Sequence, residues 1–215
     1  MAVNEYGPGA FHVGSRLTIS EQIRLAAQCR DLIDGDVPGY VPVVRGGGKM
    51  HVRMLCLGRH WNGLTYRYEA TRNDFDGLVP PQIPANLCSL AQSVALAAGF
   101  ALNPDVCILN YYEADGRMGL HQDKDEGPRA LAAGWPVVSI SIGDTARFLF
   151  GGERRRDPVE SILLQSGDAF VFGGPARLRY HGVSRIVPGT APKELGMSGR
   201  FNLTFRQSDA TDPIG

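Results

Sequence analysis

The 215-residue chain has no excess of either charge: 22 Lys and Arg stand against 22 Asp and Glu. Bulk charge therefore points to no polyanionic partner, and any basic surface has to be local. Paired cysteines are missing as well. Cys29, Cys56, Cys88 and Cys107 are scattered without a CxxC pair, which argues against a zinc knuckle or disulfide framework and for reduced, buried thiols. No apolar run approaches a membrane span, and the opening MAVNEYGPGAFHVGSR lacks the apolar stretch of a signal peptide. Repeats and low-complexity tracts are absent too. With 43% apolar and 20% charged residues, the composition is that of a globular protein. The expectation is a cytoplasmic, soluble, monomeric single-domain chain that engages no membrane.

What is there divides into two textures. SEQIRLAAQCRDLI (20–33) predicts a helix with Ser20 as its N-cap and Ile23, Ala26, Ala27 and Ile33 near one face. IPANLCSLAQSVALAAG (83–99) predicts a second, with Pro84 early, Leu87, Leu90, Ala91, Val94 and Ala98 at helical spacing, and Gly99 as its stop. From Val106 onward, short β-branched and aromatic runs follow one another between turn residues: VCILNYY, VVSISI, RFLFGG, SILLQSGD, AFVFGG, RYHGV, RFNLTFR. Helices first and strands later predict an α+β fold, with helices on one side of an antiparallel sandwich or roll.

Segment 41–72 carries six basic residues, Arg45, Lys49, Arg53, Arg59, Arg67 and Arg72, against one acid, Glu69, with Trp61, Tyr66 and Tyr68 interleaved. A charge-guarded edge strand accounts for this pattern. A surface for single-stranded nucleic acid accounts for it equally, with charge for phosphates and rings for bases.

The chemistry begins at GLHQDKDE (119–126). Side chains two apart on a strand share a face, so His121 and Asp123 could converge on one point. Alone, an HxD pair is weak. His181, in RYHGV, supplies the second imidazole of a two-His-one-carboxylate set, which suits non-haem Fe(II) with positions left open for a co-substrate and O2. Zinc accepts the same ligands. In RFNLTFR, Arg200, Asn202, Thr204 and Arg206 alternate with Phe201, Leu203 and Phe205. Two arginines on one face suit poorly a dry core but suit well a dicarboxylate, which each guanidinium can grip with two hydrogen bonds. 2-Oxoglutarate is a dicarboxylate that also chelates iron. His12, His51 and His60 have no carboxylate two positions away and read as surface or structural residues.

ILNYY (108–112), LHQDKDE (120–126), VVSISIG (137–143), FGGERRRDP (150–158), LLQSGDAFVFGGPARLRYHGV (163–183) and RFNLTFR together resemble the AlkB family of Fe(II)- and 2-oxoglutarate-dependent nucleic-acid dealkylases, particularly its bacterial members. The stretches occur in the family's order and cover roughly the C-terminal half, with weaker echoes in MHVRM (50–54). The resemblance implies a double-stranded β-helix, or jelly-roll, core over 81–215, a nucleotide-recognition lid over 41–80, and an N-terminal extension and helix over 1–40. It implies His121, Asp123 and His181 as iron ligands and Asn110, Tyr112, Arg200, Asn202 and Arg206 around 2-oxoglutarate, with Arg200 at the distal carboxylate and Arg206 near the metal. Trp61 and His121 would sandwich an extruded base. Met54 and Asp125 would join them, with Asp125 at the polar edge of the base and Arg155 nearby, and Tyr66 or Tyr68 would touch the backbone. The implied activity is oxidative demethylation of 1-methyladenine and 3-methylcytosine in single- or double-stranded DNA, and in RNA. It is coupled to decarboxylation of 2-oxoglutarate to succinate, and it releases formaldehyde. The segment GPRALAAGW (127–135) is longer than in the enterobacterial type, beside the HxD motif.

Three other readings use parts of the same pattern. An oxygenase of a protein or small molecule would need the iron and arginine residues but not segment 41–72. A non-catalytic nucleic-acid-binding module would need only that segment. A zinc hydrolase would leave RFNLTFR unexplained and lacks the Glu of an HExxH motif.

Overall fold

The strand-rich half folds as its alternation demands. In a computed structural model that describes residues 2–209, the chain runs β1 (Ala2–Glu5), β2 (Ala10–Gly14), α1 (Ile19–Ile33), β3 (Arg53–Gly58), β4 (His60–Asn62), β5 (Arg67–Glu69), α2 (Ala85–Ala97), β6 (Val106–Tyr112), β7 (Met118–His121), α3 (Pro128–Ala133), β8 (Val137–Gly143), β9 (Thr145–Phe150), β10 (Glu160–Leu164), β11 (Ala169–Phe172), β12 (His181–Val187) and β13 (Arg200–Arg206). A seven-stranded sheet has the order β1-β2-β11-β8-β13-β6-β3, and a four-stranded sheet the order β10-β9-β12-β7. Strands β4 and β5 form a separate hairpin. All pairings between these strands are antiparallel. This is a jelly roll of two facing sheets, with helices against the outer face of the larger one.

Strand β13 lies centrally, between β6 and β8. Phe201, Leu203 and Phe205 join Leu109, Ile140, Ile142 and Val171 in the main core beneath both helices. The alternate residues Arg200, Asn202, Thr204 and Arg206 face the interval between the sheets, where they line a cavity. A period of two thus separates a dry side from a polar one in a single strand. The polar face is not that of an edge strand, because β13 is paired on both sides.

Two local expectations need correction. Thr18, not Ser20, caps α1: its hydroxyl accepts from the Glu21 backbone, and the Glu21 carboxylate accepts from the Thr18 N–H, a capping box. The cap sits two residues earlier than expected, at the first pairing of a hydroxyl with an acid three positions on. The buried stripe of α1 is Gln22, Leu25, Ala26, Cys29 and Ile33, so Ile23 faces solvent. Helix α2 matches its expected bounds closely, burying Leu87, Ala91, Val94 and Ala95.

The basic segment 41–72 also divides differently from its composition. Arg72 is 1% exposed, lies over the Tyr40 and Phe75 rings, and pairs with Asp76 at 3.0 Å. Arg59 is buried against Asp105, and Arg53 bridges Asp34 while donating to the Gly39 and Ile33 carbonyls. These three charges hold the segment onto the body and are not a surface for phosphates. Strand β3 does form an edge of the large sheet. Residues 2–14, which the sequence presented as an extension, add the β1–β2 pair to the opposite edge of that sheet. Among the described residues no helix is long and apolar enough to cross a membrane.

The α1 correction is measurable. Leu25→Ala should lower unfolding free energy by about 2–4 kcal/mol, as for a buried leucine, while Ile23→Ala should cost under about 0.5 kcal/mol. Urea denaturation of the two variants gives the comparison, and equal losses would restore the expected face.

Candidate active site

Pairing between β7 and β12 sets His121 directly opposite His181, and the chain after β7 turns Asp123 toward both. His121 Nε2 lies 3.6 Å from Asp123 Oδ1, and His181 Nε2 lies 3.7 Å from Oδ2. One ligand atom from each of the three residues falls within 4.8 Å of the others. Each imidazole is oriented in the same way: His121 Nδ1 donates to the Gly119 carbonyl at 2.9 Å, and His181 Nδ1 to the Arg179 carbonyl at 3.0 Å. A carbonyl only accepts, so Nδ1 carries the hydrogen and Nε2 keeps its lone pair toward the cluster. Burial and the neighbouring His121 hold His181 below its ordinary pKa, favouring the neutral form that ligates. Two imidazole nitrogens and one carboxylate, converging from a rigid ladder and its adjoining turn, fit a divalent metal of the Fe(II) type.

Around the cluster lies a charge array that sequence reading found only in part. Arg206 grips Asp123 Oδ2 through Nε at 3.0 Å and Nη2 at 2.6 Å, and its Nε also lies 3.1 Å from Glu126 Oε1. Arg177 pairs with Glu126 Oε2 at 2.7 Å and donates to the Asp123 backbone carbonyl. Burial alone would raise the Asp123 carboxyl, but Arg206 and the two histidines outweigh it and hold it well below the usual range. For Glu126 burial wins, and its carboxyl is raised despite both guanidiniums. Glu126 and Arg177 were not singled out from sequence. The available signal was an arginine directly after the small and apolar run FGGPA, four residues before the metal-set histidine.

Two cavities meet at the cluster. The inner one, about 50 Å³, is lined by Asn110, Tyr112, Arg200, Asn202 and Arg206, among others. Arg200 is 1% exposed at its far end. Its partners are neutral: the Asp144 and Leu164 carbonyls at 3.2 and 3.1 Å and the Ser141 hydroxyl at 2.5 Å. Among the described residues no carboxylate forms an ion pair with it, and its Nε has no hydrogen-bond partner. Burial pulls its pKa down to about 10. Asn110 Oδ1 and Arg206 Nη1 are likewise buried without partners. Asn202 is engaged instead, donating to the Ser139 hydroxyl and accepting from Thr204. The Tyr112 hydroxyl points to the Met118 sulfur at 3.9 Å.

The outer cavity, about 360 Å³, brings together Met54, Trp61, Tyr66, Tyr68, Asp125 and Arg155 with His121 and Asp123. Trp61 stands on the β4–β5 hairpin, whose turn closes when Asn62 Oδ1 accepts from the Leu64 and Thr65 N–H groups. The Trp61 indole N–H donates to Asp125 Oδ2 at 2.8 Å. Burial raises the Asp125 carboxyl above its ordinary pKa. Tyr66 meets Trp61 edge-on and is exposed, whereas the Tyr68 hydroxyl donates inward to Glu126 at 3.4 Å. Arg155 donates to the Leu120 carbonyl at 2.8 Å. The long 127–135 segment lines neither cavity. It forms α3, and Asp209 accepts from the Arg129 N–H in its first turn. Gly134 ends it at φ +63°, where an added Cβ would lie 2.7 Å from the Gly174 backbone.

Arg177 acts on the metal set only through Asp123. Arg177→Lys keeps a charge near Glu126 but loses the fork that spans both partners. Mn(II) affinity measured by titration calorimetry should fall roughly 10–100-fold, as for other residues that orient metal ligands. His181→Ala in the same titration should show no saturable binding. Unchanged affinity in Arg177→Lys would confine that residue to folding.

The model of the 2OG-Fe(II) oxygenase superfamily matches residues 9–206. DNA N(6)-methyladenine demethylase ALKBH1C of Arabidopsis thaliana is 42% identical over 221 residues, covering 93% of this chain and 48% of that protein. Alpha-ketoglutarate-dependent dioxygenase AlkB of Escherichia coli (strain K12) is 40% identical over 170 residues, 77% of this chain and 76% of that one. The solved structure of OsALKBH1 superposes with a TM-score of 0.89 at 38% identity, covering 96% of this chain and 100% of its own. The chain spans about half the length of the curated plant relatives it matches. On this evidence it belongs to the AlkB family of 2OG-Fe(II) oxygenases.

Proposed function

We propose that this protein removes N-alkyl groups oxidatively from bases in DNA, and in RNA, with 1-methyladenine and 3-methylcytosine as substrates. The observation that carries the co-substrate half of this reading is Arg200, a buried guanidinium whose hydrogen-bond partners are all neutral, at the end of a cavity that opens on the metal set. An unpaired buried cation is costly, and a dicarboxylate end supplies its counter-charge. Asn110, Tyr112 and Asn202 would flank 2-oxoglutarate, with Arg206 beside the metal end. Fe(II) and 2-oxoglutarate held there would supply the oxidation with O2 as the oxidant: one oxygen atom would enter succinate as 2-oxoglutarate loses carbon dioxide, and the other would leave with the methyl carbon as formaldehyde.

The protein's own part is to admit, orient and dry the base. Residues 41–80 would act as the lid over it. Trp61 would stack on an extruded base with His121 on the far side, and Met54 would pack at its edge. Tyr66, exposed at the rim, suits a backbone contact better than Tyr68, whose hydroxyl turns inward to Glu126. Methylation of a pairing nitrogen lowers the cost of extrusion, which contributes selectivity before any contact is made. 1-Methyladenine and 3-methylcytosine are cationic near neutral pH, and the Asp125 carboxylate, held by the Trp61 indole, faces the cavity they would enter. Trp61 itself would add roughly 1–2 kcal/mol of cation–π attraction once desolvated. A second reading is favoured by the plant relatives, named for demethylation of N(6)-methyladenine, a neutral base.

One substitution separates the two. Asp125→Asn keeps an acceptor for the Trp61 N–H and removes only the charge. Demethylation of 3-methylcytosine should fall about tenfold or more, with under about twofold loss on N(6)-methyladenine. Equal losses on both bases would remove charge selection from the account. For the co-substrate, Arg200→Met should weaken 2-oxoglutarate binding to the Mn(II)-loaded protein by at least about 100-fold, leaving Mn(II) affinity intact.

A further inference from the structure

A third cavity, also about 360 Å³, lies beside the outer pocket and is lined by the basic residues Lys49, His51 and Arg117 with no Asp or Glu. All three basic side chains are exposed, and Arg117 Nη2 donates to His51 Nε2 at 2.9 Å. At its floor are Met118 and Val183, and both of these also line the inner cavity. The wall between the basic groove and the inner cavity therefore includes these two side chains. With Met50 they pack on Tyr112 in a small apolar cluster.

That wall is built to yield. Strand β7 is the four-residue edge of the small sheet, and its pairing with β12 slips register between His181 and Val183. The pairing of β12 with β9 slips again between Val183 and Arg185. Bulges on both sides of Val183 leave the ladder locally weak. Methionine has three rotatable bonds and swings without backbone movement.

From this juxtaposition of a basic groove with a methionine plug on the inner cavity, we propose that the groove is a side port through which the dicarboxylate co-substrate enters and the dicarboxylate product leaves. This rests on the reading of the inner cavity as the 2-oxoglutarate site. The need follows from the arrangement of the cavities. A base filling the outer pocket stands between the inner cavity and solvent, so a dicarboxylate with that single route could exchange only after the nucleic acid dissociates. A port past Met118 removes the constraint, and Lys49 and Arg117 at its mouth attract a dianion in advance of binding.

The test measures 2-oxoglutarate association with the Mn(II)-loaded protein by stopped-flow tryptophan fluorescence, with and without a saturating oligonucleotide containing 3-methylcytosine. The wild-type association rate should stay within about threefold when the oligonucleotide is bound. Lys49→Glu/Arg117→Glu should slow association about tenfold in both conditions and flatten its salt dependence. Met118→Phe should slow association and dissociation together. An oligonucleotide that blocks association to the wild type overturns the port. So does a charge-reversed variant with unaltered dicarboxylate rates, and if its oligonucleotide affinity falls the groove is a backbone contact instead. Failure of 2-oxoglutarate to bind the wild type under any condition removes the co-substrate assignment itself, a result distinct from failure of the port.

Discussion

The Asp123 carboxylate joins every part of the site, and the surrounding structure is arranged to keep it charged while buried. It faces His121 and His181 on one side and the Arg206 fork on the other, and its own carbonyl is held by Arg177. Glu126 completes the array, so two carboxylates are balanced by two guanidiniums within one buried cluster. Removing a partner from such a cluster strands a charge and costs about 3–5 kcal/mol. The array therefore needs a rigid frame, and the two facing sheets supply it. Arg206 ends an interior strand of the large sheet, while His121 and His181 are opposed across a ladder of the small one.

Charge balance also explains why the two arginines of β13 behave differently. Arg206 is compensated by Asp123 and Glu126, which raises its pKa further although burial opposes this. Arg200, six residues away on the same face, has only carbonyls and a hydroxyl, and burial lowers it. One arginine belongs to the protein's own ionic structure and the other awaits an anion. In the proposed reading, that difference would divide a metal end of the strand from a carboxylate end.

Much of this was legible in the sequence because it is written at a period of two. The alternation in RFNLTFR survives as one polar face of β13, whereas the HxD pair converges because the chain turns once β7 has ended at His121. The order of short strands after Val106 survives as well, since each was bounded by turn residues. What the sequence hid depends on contacts between distant segments. Glu126 and Arg177 lie 51 residues apart, and nothing in either neighbourhood announces their pairing. Composition overstated the basic surface of 41–72, because Arg59 and Arg72 are consumed by Asp105 and Asp76 in the body of the protein. On α1 the stripe was misplaced because Ile23 is apolar, and apolarity alone does not distinguish a buried face from an exposed one when Gln22 can be buried by bonding the Leu17 carbonyl.

The central claim is that this site oxidises an N-methyl group on a nucleic-acid base. The most direct measurement incubates the protein with Fe(II), ascorbate, 2-oxoglutarate and a single-stranded oligonucleotide carrying one 3-methylcytosine, and follows the mass of the oligonucleotide. The account predicts loss of one methylene, together with succinate formation, and neither in His121→Ala. Succinate formed without any change in oligonucleotide mass, on methylated cytosine or adenine, would contradict it and assign the same oxygenase chemistry to another class of substrate.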